Sequence, residues 1–450
     1  MPEYTRFVEN VRRMKTFLLR LRVGVEGLKL RDSDAKVSRA DVLFVCHDND
    51  RAYEFGGQSF APLLDSIAYE LRLKGVSVQT LATKWSLLVG PKAYGSPFSM
   101  HRKYAQAALR DRLSSVLRNP LVFLPQRRKV SHHHKRTLWL SLLEQIQPKV
   151  VVVIGAEPHL MTAAHRISIR TVEILHGYRY SSVLWGYEDR LDSELPAEIW
   201  TLDDLSFASF RSLEQKGVEI KRVVNPWHEF VGDMTTPSVF HDSHPLAAVA
   251  RKLEELQVGR PLVVVALTWG YESGGLLEGS FSNGLFPDEL GNAISVFQRF
   301  SWIVRPHAVQ LYGEAHRSSL RTITDIIQEH SNVSSLELAM SPLPLLLKRA
   351  SGFVTTCSGS LAEAIEFGVP SLILDNSSQL SFYRNQYRAE IESGLVTVWD
   401  GSTTHLTGWL GELQSAQRPT ETRLSKDAQA DRLDRLSPKD LIFSLLRLHI

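Results

Sequence analysis

The segment Phe353–Asp375, FVTTCSGSLAEAIEFGVPSLILD, constrains the fold of this chain more than any other. An apolar run enters a Ser-Gly-Ser turn, a helical stretch carrying Glu363 follows, Gly368 and Pro370 stop it, and a second apolar run begins at Ser371. That order predicts a strand, a helix and a second strand, with glycine and proline as the helix stop. Small hydroxylated residues around Gly359 let the backbone approach an anion with its amide N–H groups, and the helix that follows adds the positive end of its dipole. Glu363 lies one turn in, within reach of vicinal ribose hydroxyls. The same residues also fit an ordinary βαβ unit in which Ser358 caps the helix and Glu363 is solvated. Taken alone, the segment leaves both readings open.

Other stretches repeat the pattern. Val42–Cys46 predicts a buried strand, Phe60–Leu73 a helix, and Val76–Leu81 the next strand, with Gly56 and Gly57 between strand and helix marking a close approach of a ligand or another backbone. Apolar runs at Val150–Ile154, Thr171–Leu175, Ile199–Leu202 and Arg222–Val224 extend a parallel sheet. Residues 84–136 read as an insertion of helices and loops. Proline, histidine and small polar residues gather from Asn225 to Pro245, and five further strands are expected beyond them: Leu262–Leu267, Trp302–Arg305, Gly352–Thr355, Ser371–Leu374 and Leu395–Val398. A closing helix, Ser437–Leu448, fits against either half. With 450 residues, 43% of them hydrophobic and 22% charged, the chain is long enough for two domains. The expected fold is α/β: two Rossmann-like domains, 1–235 and 245–450, with a cleft between them at the carboxyl ends of the strands.

Charge is modest in sum, at +3, but uneven. Residues 102–136 hold ten Lys or Arg against the single acid Asp111, and Arg6–Arg31 hold eight basic residues against Glu9 and Glu26. In the latter, Phe7, Val11, Met14, Leu18 and Leu21 recur at helical spacing, so an amino-terminal basic helix is expected. It suits an anionic membrane surface or a phosphate-bearing acceptor, or packs on its own domain. No basic motif interleaved with aromatics appears, and no nucleic-acid partner is expected. No apolar run reaches eighteen residues and the amino terminus lacks a secretory core, which points to a cytoplasmic protein, at most at the inner face of the membrane. Cys46 and Cys357 both sit beside apolar strands and read as buried thiols.

Three strand ends in the second half carry polar chemistry. Thr268 opens the glycine-rich LTWGYESGG. WIVRPHA delivers Arg305, a strand-breaking Pro306 and His307 together, with Arg305 suited to a diphosphate. SGSLAEA is the third. In the first half, His176 and Gly177 follow a strand, and an imidazole there suits proton transfer. Asp48, Asp50, Glu157 and His159 are further candidates that serve loop caps equally well. His132, His133 and His134 point in different directions on any regular element and predict a solvated patch rather than a metal site. Asp203-Asp204 reads as a helix cap, and no metal site is expected.

SGSLAEAIEFGVP, with WIVRPH about fifty residues before it and ILHGYR in the first half, resembles the GT-B glycosyltransferases, most of all those building capsule, teichoic acid or lipopolysaccharide chains. The resemblance implies a nucleotide-sugar donor in the carboxy-terminal domain and a glycan or lipid-linked acceptor in the amino-terminal one, with no cofactor beyond the donor. It implies Ser358, Gly359 and Ser360 on the diphosphate, Glu363 on the ribose, and Arg305, His307 and Thr268 on the donor's phosphate or sugar. His176 with Gly177 would face them, His176 as base and His307 as a second catalytic group, with Asp48, Gly56 and Gly57 on the acceptor side or its loop. Arg305 stands where relatives resembling teichoic acid polymerases carry Lys, which keeps charge and adds a bidentate grip. Thr355 stands where retaining enzymes carry a first glutamate, so an inverting reaction is expected. A sugar-nucleotide 2-epimerase of the same fold would share the SGS and Glu363 cradle. A non-catalytic nucleotide- or glycan-binding partner of a polysaccharide assembly complex is the reading from another class.

Overall fold

The computed structural model describes residues 28, 32, 37–51, 53–83, 86–118, 132–183, 185–234, 249, 251–253, 255, 260–272, 275, 277–311, 317–356, 358–374, 384–415 and 435–447. The basic helix expected over 6–31 therefore lies outside the described residues apart from Leu28, as do residues 119–131 of the second basic stretch and Cys357. The chain forms two compact units, Met1–Pro226 joined by Leu436–Ile450, and Trp227–Arg435.

The first unit is built on strands β1 (Val42–Cys46), β4 (Val78–Ala82), β5 (Phe98–Ser99), β6 (Val150–Val153), β7 (Arg170–Ile174), β8 (Glu198–Thr201) and β9 (Glu219–Arg222). They lie in the order β5-β4-β1-β6-β7-β8-β9, all neighbours parallel. A parallel sheet needs crossovers that cover both faces, and its strands are then apolar on both. β1 shows the division: Val42, Phe44 and Cys46 pack with Leu64, Ile67 and Leu71 of helix Pro62–Leu73. Leu43 and Val45 pack on the other face with Trp139, Leu142 and Leu143. The Cys46 thiol is buried, and burial pushes its pKa up.

Two features differ from the sequence expectation. The last strand runs over Glu219–Arg222 rather than Arg222–Val224, because Ile220 pairs into the sheet against Ile199 while Val223 bridges to Leu436. Gly56 and Gly57 form the turn of a hairpin between β2 (Tyr53–Phe55) and β3 (Gln58–Phe60) rather than an open ligand loop. Their φ values of 58° and 77° are the left-handed pair that a two-residue turn of this kind requires, and Phe55 meets Phe60 at 4.9 Å beneath it.

The second unit carries β10 (Leu262–Ala266), β11 (Ser301–Arg305), β12 (Ala350–Thr355), β13 (Ser371–Ile373) and β14 (Val396–Val398) in the order β11-β10-β12-β13-β14, again parallel throughout. Val263, Val265, Trp302 and Val304 form one side of its core with Leu290, Ile294, Ile323, Trp409 and Leu410. The closing helix, Pro438–Arg447, belongs to the first unit, where Ile442, Leu445 and Leu446 join the β1 core face. Among the described residues no helix is long and apolar enough to cross a membrane.

Candidate functional site

In the second unit the chain leaves β10 for β11 on one side and returns to β12 on the other. The crossovers thus diverge at the carboxyl ends of β10 and β12, the place where open α/β sheets hold ligands. Thr268 follows β10 there, and Thr356 follows β12. Thr356 Oγ1 donates to Thr268 Oγ1 at 2.9 Å, which joins the two strand ends. One residue inward along β12, the buried Thr355 hydroxyl is satisfied by the Ala266 carbonyl at 2.9 Å.

The Ser-Gly-Ser turn continues from this point. Ser358 and Ser360 share a hydroxyl contact at 2.7 Å, and the Ser360 N–H reaches Ser358 Oγ at 3.3 Å. Leu361 and Ala362 already donate to the carbonyls of Ser358 and Gly359, both at 3.1 Å. The helix Ser360–Glu366 is seven residues long, so side-chain hydroxyls line the turn together with main-chain groups. A Cβ at Gly359 would meet nothing within 4 Å, so open space faces that residue.

Glu363 and Glu366, three apart, share one face of the helix, and both reach a histidine that the sequence reading assigned to a boundary. His228, on helix Pro226–Met234, sits with Nε2 2.9 Å from Glu363 Oε2 and Nδ1 3.2 Å from Glu366 Oε2. Arg435 Nη1 lies 3.2 Å from Glu366 Oε1, and the Phe367 ring closes the imidazole edge-on at 5.0 Å. Two cations thus balance two carboxylates. Burial by itself would lower the His228 pKa, but the Glu366 charge beside Nδ1 and the hydrogen bond and charge of Glu363 outweigh it and push the value up to about 9. The His228 side chain is 1% exposed and that of Glu363 21%, so the carboxylate reaches the surface while its partner does not. The Glu-x-x-Glu spacing was the available signal. The histidine had none, because its partner is 135 residues away.

The WIVRPHA residues take more local positions. Arg305 Nη1 donates to the carbonyls of Ala339 and Ser341, at 2.5 and 2.6 Å. The His307 N–H donates to Gln310 Oε1 at 2.8 Å, and buried Gln310 reaches the Thr268 carbonyl at 3.5 Å. The loop after β11 is in this way tied to the end of β10.

In the first unit, His176 stands just beyond β7, its Nε2 3.4 Å from Tyr180 Oη and its ring 5.5 Å from that of Trp185. A Cβ on the neighbouring Gly177 would sit 2.8 Å from Tyr180 Oη, so that side chain would have to shift. Asp50 follows β1. Burial raises its carboxyl, opposed by the His47 N–H at 3.0 Å and the charge of His176. Asp48 is committed to the main chain, accepting from Leu87 N at 2.6 Å, Leu88 N at 3.3 Å and the Ser86 hydroxyl. Deeper in the sheet, Glu173 accepts from Tyr187 Oη at 2.5 Å and Ala156 N at 3.3 Å, and burial pushes its pKa up to about 7. Asp203 caps its helix through Ser206 N at 2.9 Å. His132 is the residue before helix His133–Ile146 and meets His159 at 4.5 Å. Among the described residues no group of three or more His, Cys, Asp or Glu is arranged to hold a metal ion.

No protein-family model and no curated protein sequence matches the chain. Solved structures do. The wall teichoic acid polymerase TagF, in a histidine-to-alanine form, is 12% identical, with a TM-score of 0.54 and 99% of both chains covered. A Neisseria meningitidis UDP-GlcNAc 2-epimerase bound to UDP-GlcNAc is 13% identical, covering 90% of this chain and 99% of its own at a TM-score of 0.49. MurG of Acinetobacter baumannii is 9% identical, with coverage of 90% and 99% and a TM-score of 0.43. At such identities the likeness is one of fold, and the fold is the two-domain GT-B-like α/β fold.

Proposed function

We propose that the chain is a glycosyltransferase that takes a sugar from a nucleotide-sugar donor and passes it to a hydroxyl of a glycan or lipid-linked acceptor, without a metal and with inversion. The observation that carries this reading is the meeting of Thr268, Thr356 and the Ser358–Ser360 turn where the crossovers of the second sheet diverge, with Glu363 one helical turn away. Hydroxyls and main-chain groups at such a place suit a diphosphate, and a carboxylate one turn on suits vicinal hydroxyls. We assign His307, tied through Gln310 to Thr268, to the donor as well, and Arg305 to holding the 339–341 loop.

In this reading His176 supplies the base. Its imidazole accepts the proton of the acceptor hydroxyl as that oxygen attacks the anomeric carbon, and the nucleoside diphosphate leaves with the bonding pair of the glycosidic C–O bond. Tyr180 and Trp185 flank the ring. The basic residues of 6–31 and 102–136 are assigned to an anionic acceptor or membrane surface of a surface-polysaccharide pathway.

The test is incubation of the purified chain with a panel of nucleotide-sugars and an acceptor extract, following nucleoside diphosphate release. His176→Ala should cut turnover by ~100-fold or more while sparing donor binding, and Glu363→Ala should weaken donor binding. A donor sugar inverted at C2 with no transfer would make the chain an epimerase. Binding with no change in the donor would make it a non-catalytic partner.

A further inference from the structure

Glu363 offers two oxygens of different standing. Oε2 is held by the buried imidazole of His228 at 2.9 Å. Among the described residues no donor meets Oε1, and the side chain is 21% exposed. A short polar side chain on a helix ordinarily samples several rotamers, and fixing it before a ligand arrives removes that entropic cost from binding. His228 is itself held, between Glu363 and Glu366 on one helix, with Arg435 completing the set from the far end of the unit and Phe367 against the ring.

We propose that His228 is a positioning residue for the donor, fixing Glu363 so that its open oxygen receives the ribose diol of the nucleotide. The inference rests on the donor reading given above. It adds a residue from outside the strand ends and predicts that the chain distinguishes ribose from a sugar lacking both hydroxyls. Because the hold is an ion pair, it also predicts a pH response. Glu363 and Glu366 face the imidazole, and Arg435 faces Glu366. The imidazole loses its proton as pH passes about 9, and the carboxylate is then held more weakly.

The experiment uses the full chain and calorimetric binding of UDP, CDP, GDP and ADP, followed by the 2′,3′-dideoxy form of whichever binds. The unmodified chain should prefer the ribonucleotide by about 10-fold or more, the range expected for hydrogen bonds to a charged group. His228→Asn and Glu363→Gln should each remove most of that preference, and the double variant should lose no more than either. In the unmodified chain the preference should hold from pH 6 to 8 and decline as pH passes about 9. A purely structural role for His228 would weaken both nucleotides equally and leave their ratio intact, which overturns the proposal while the donor reading stands. Equal affinity for the two nucleotides in the unmodified chain overturns it too. Failure of all four diphosphates to bind removes the donor reading and the proposal together. Should His228→Asn not fold, the pH profile of the unmodified chain decides alone, and a ratio that stays flat to pH 10 is the adverse result.

Discussion

Two buried titratable residues carry charge states that their sequence neighbours do not announce, and they act in opposite chemical senses. His228 is held protonated by two carboxylates, whereas burial pushes the Glu173 pKa on β7 up to about 7, with Tyr187 and Ala156 hydrogen bonds opposing it. Glu363 is legible in the sequence because its offset from the Ser-Gly-Ser turn is local. His228 is not legible there, because NPWHEF looks like a boundary and a pairing across 135 residues leaves no local trace. Glu173 sits in a run, RTVEIL, that is otherwise a plain buried strand. For Glu173 the folded-state pKa, about 7, lies above the ordinary 4.5. Its protonation therefore favours the folded chain fully below pH 4.5, and that contribution is lost as pH rises through 7. The loss is on the order of 3 kcal/mol. Glu173→Gln removes the charge, its amide oxygen accepting from Ala156 N and its amide N–H donating to Tyr187 Oη, so the first unit of the variant should hold its denaturation midpoint from pH 5 to 8 while the unmodified chain falls. Urea titrations at several pH values check this, and parallel slopes for the two proteins would rule it out.

At the scale of elements, apolar runs bounded by glycine and proline were enough to place nearly every strand of the two large sheets to within a residue or two, because a strand covered on both faces has no polar side to blur it. The hairpin over Tyr53–Phe60 escaped although its Gly-Gly turn and alternating flanks were present, since the same dipeptide also suits a ligand loop. How elements pack was not legible at all. Gly352 in β12 shows why: nothing around it marks the residue, yet a Cβ there would lie 2.4 Å from Leu413 Cδ1 and 3.0 Å from Trp409 Cη2. Both belong to helix Thr403–Ser415 and both are core residues. The helix can lie this close to β12 only because the strand lacks a side chain at that point. Gly352→Ala should destabilise the second unit by about 1–3 kcal/mol, the usual cost of overpacking, and Leu413→Ala should recover part of that loss. Thermal melts of the two single variants and the double give the coupling. Purely additive effects would mean that the helix moves aside at no cost.

At the scale of the whole molecule, the two-domain order could be read from the sequence, but the path of the chain between its units could not. An amphipathic closing helix must cover an apolar face, and both sheets have such faces, so periodicity alone left the choice open. The choice is made by nonlocal contacts: Leu436 bridges to Val223 beside β9, and its carbonyl accepts from Val224 N at 3.0 Å. From there Ile442, Leu445 and Leu446 reach the face of β1 and helix Pro62–Leu73. The first unit is thus closed by residues that follow the whole of the second in sequence. A chain ended at Arg435 should lose three buried aliphatic side chains from that face, worth roughly 5–8 kcal/mol, a large share of the stability of a domain of this size. The second unit, continuous from Trp227 to Arg435, keeps its core intact. Hydrogen exchange followed by mass spectrometry reads the two separately. Amides of β1, β4 and β6 should exchange far faster in the shortened chain, and those of β10, β12 and β13 should keep their protection. Equal loss of protection in both sheets would show that the units unfold as one, and unchanged protection in β1 would show that the closing helix adds little to the face it covers.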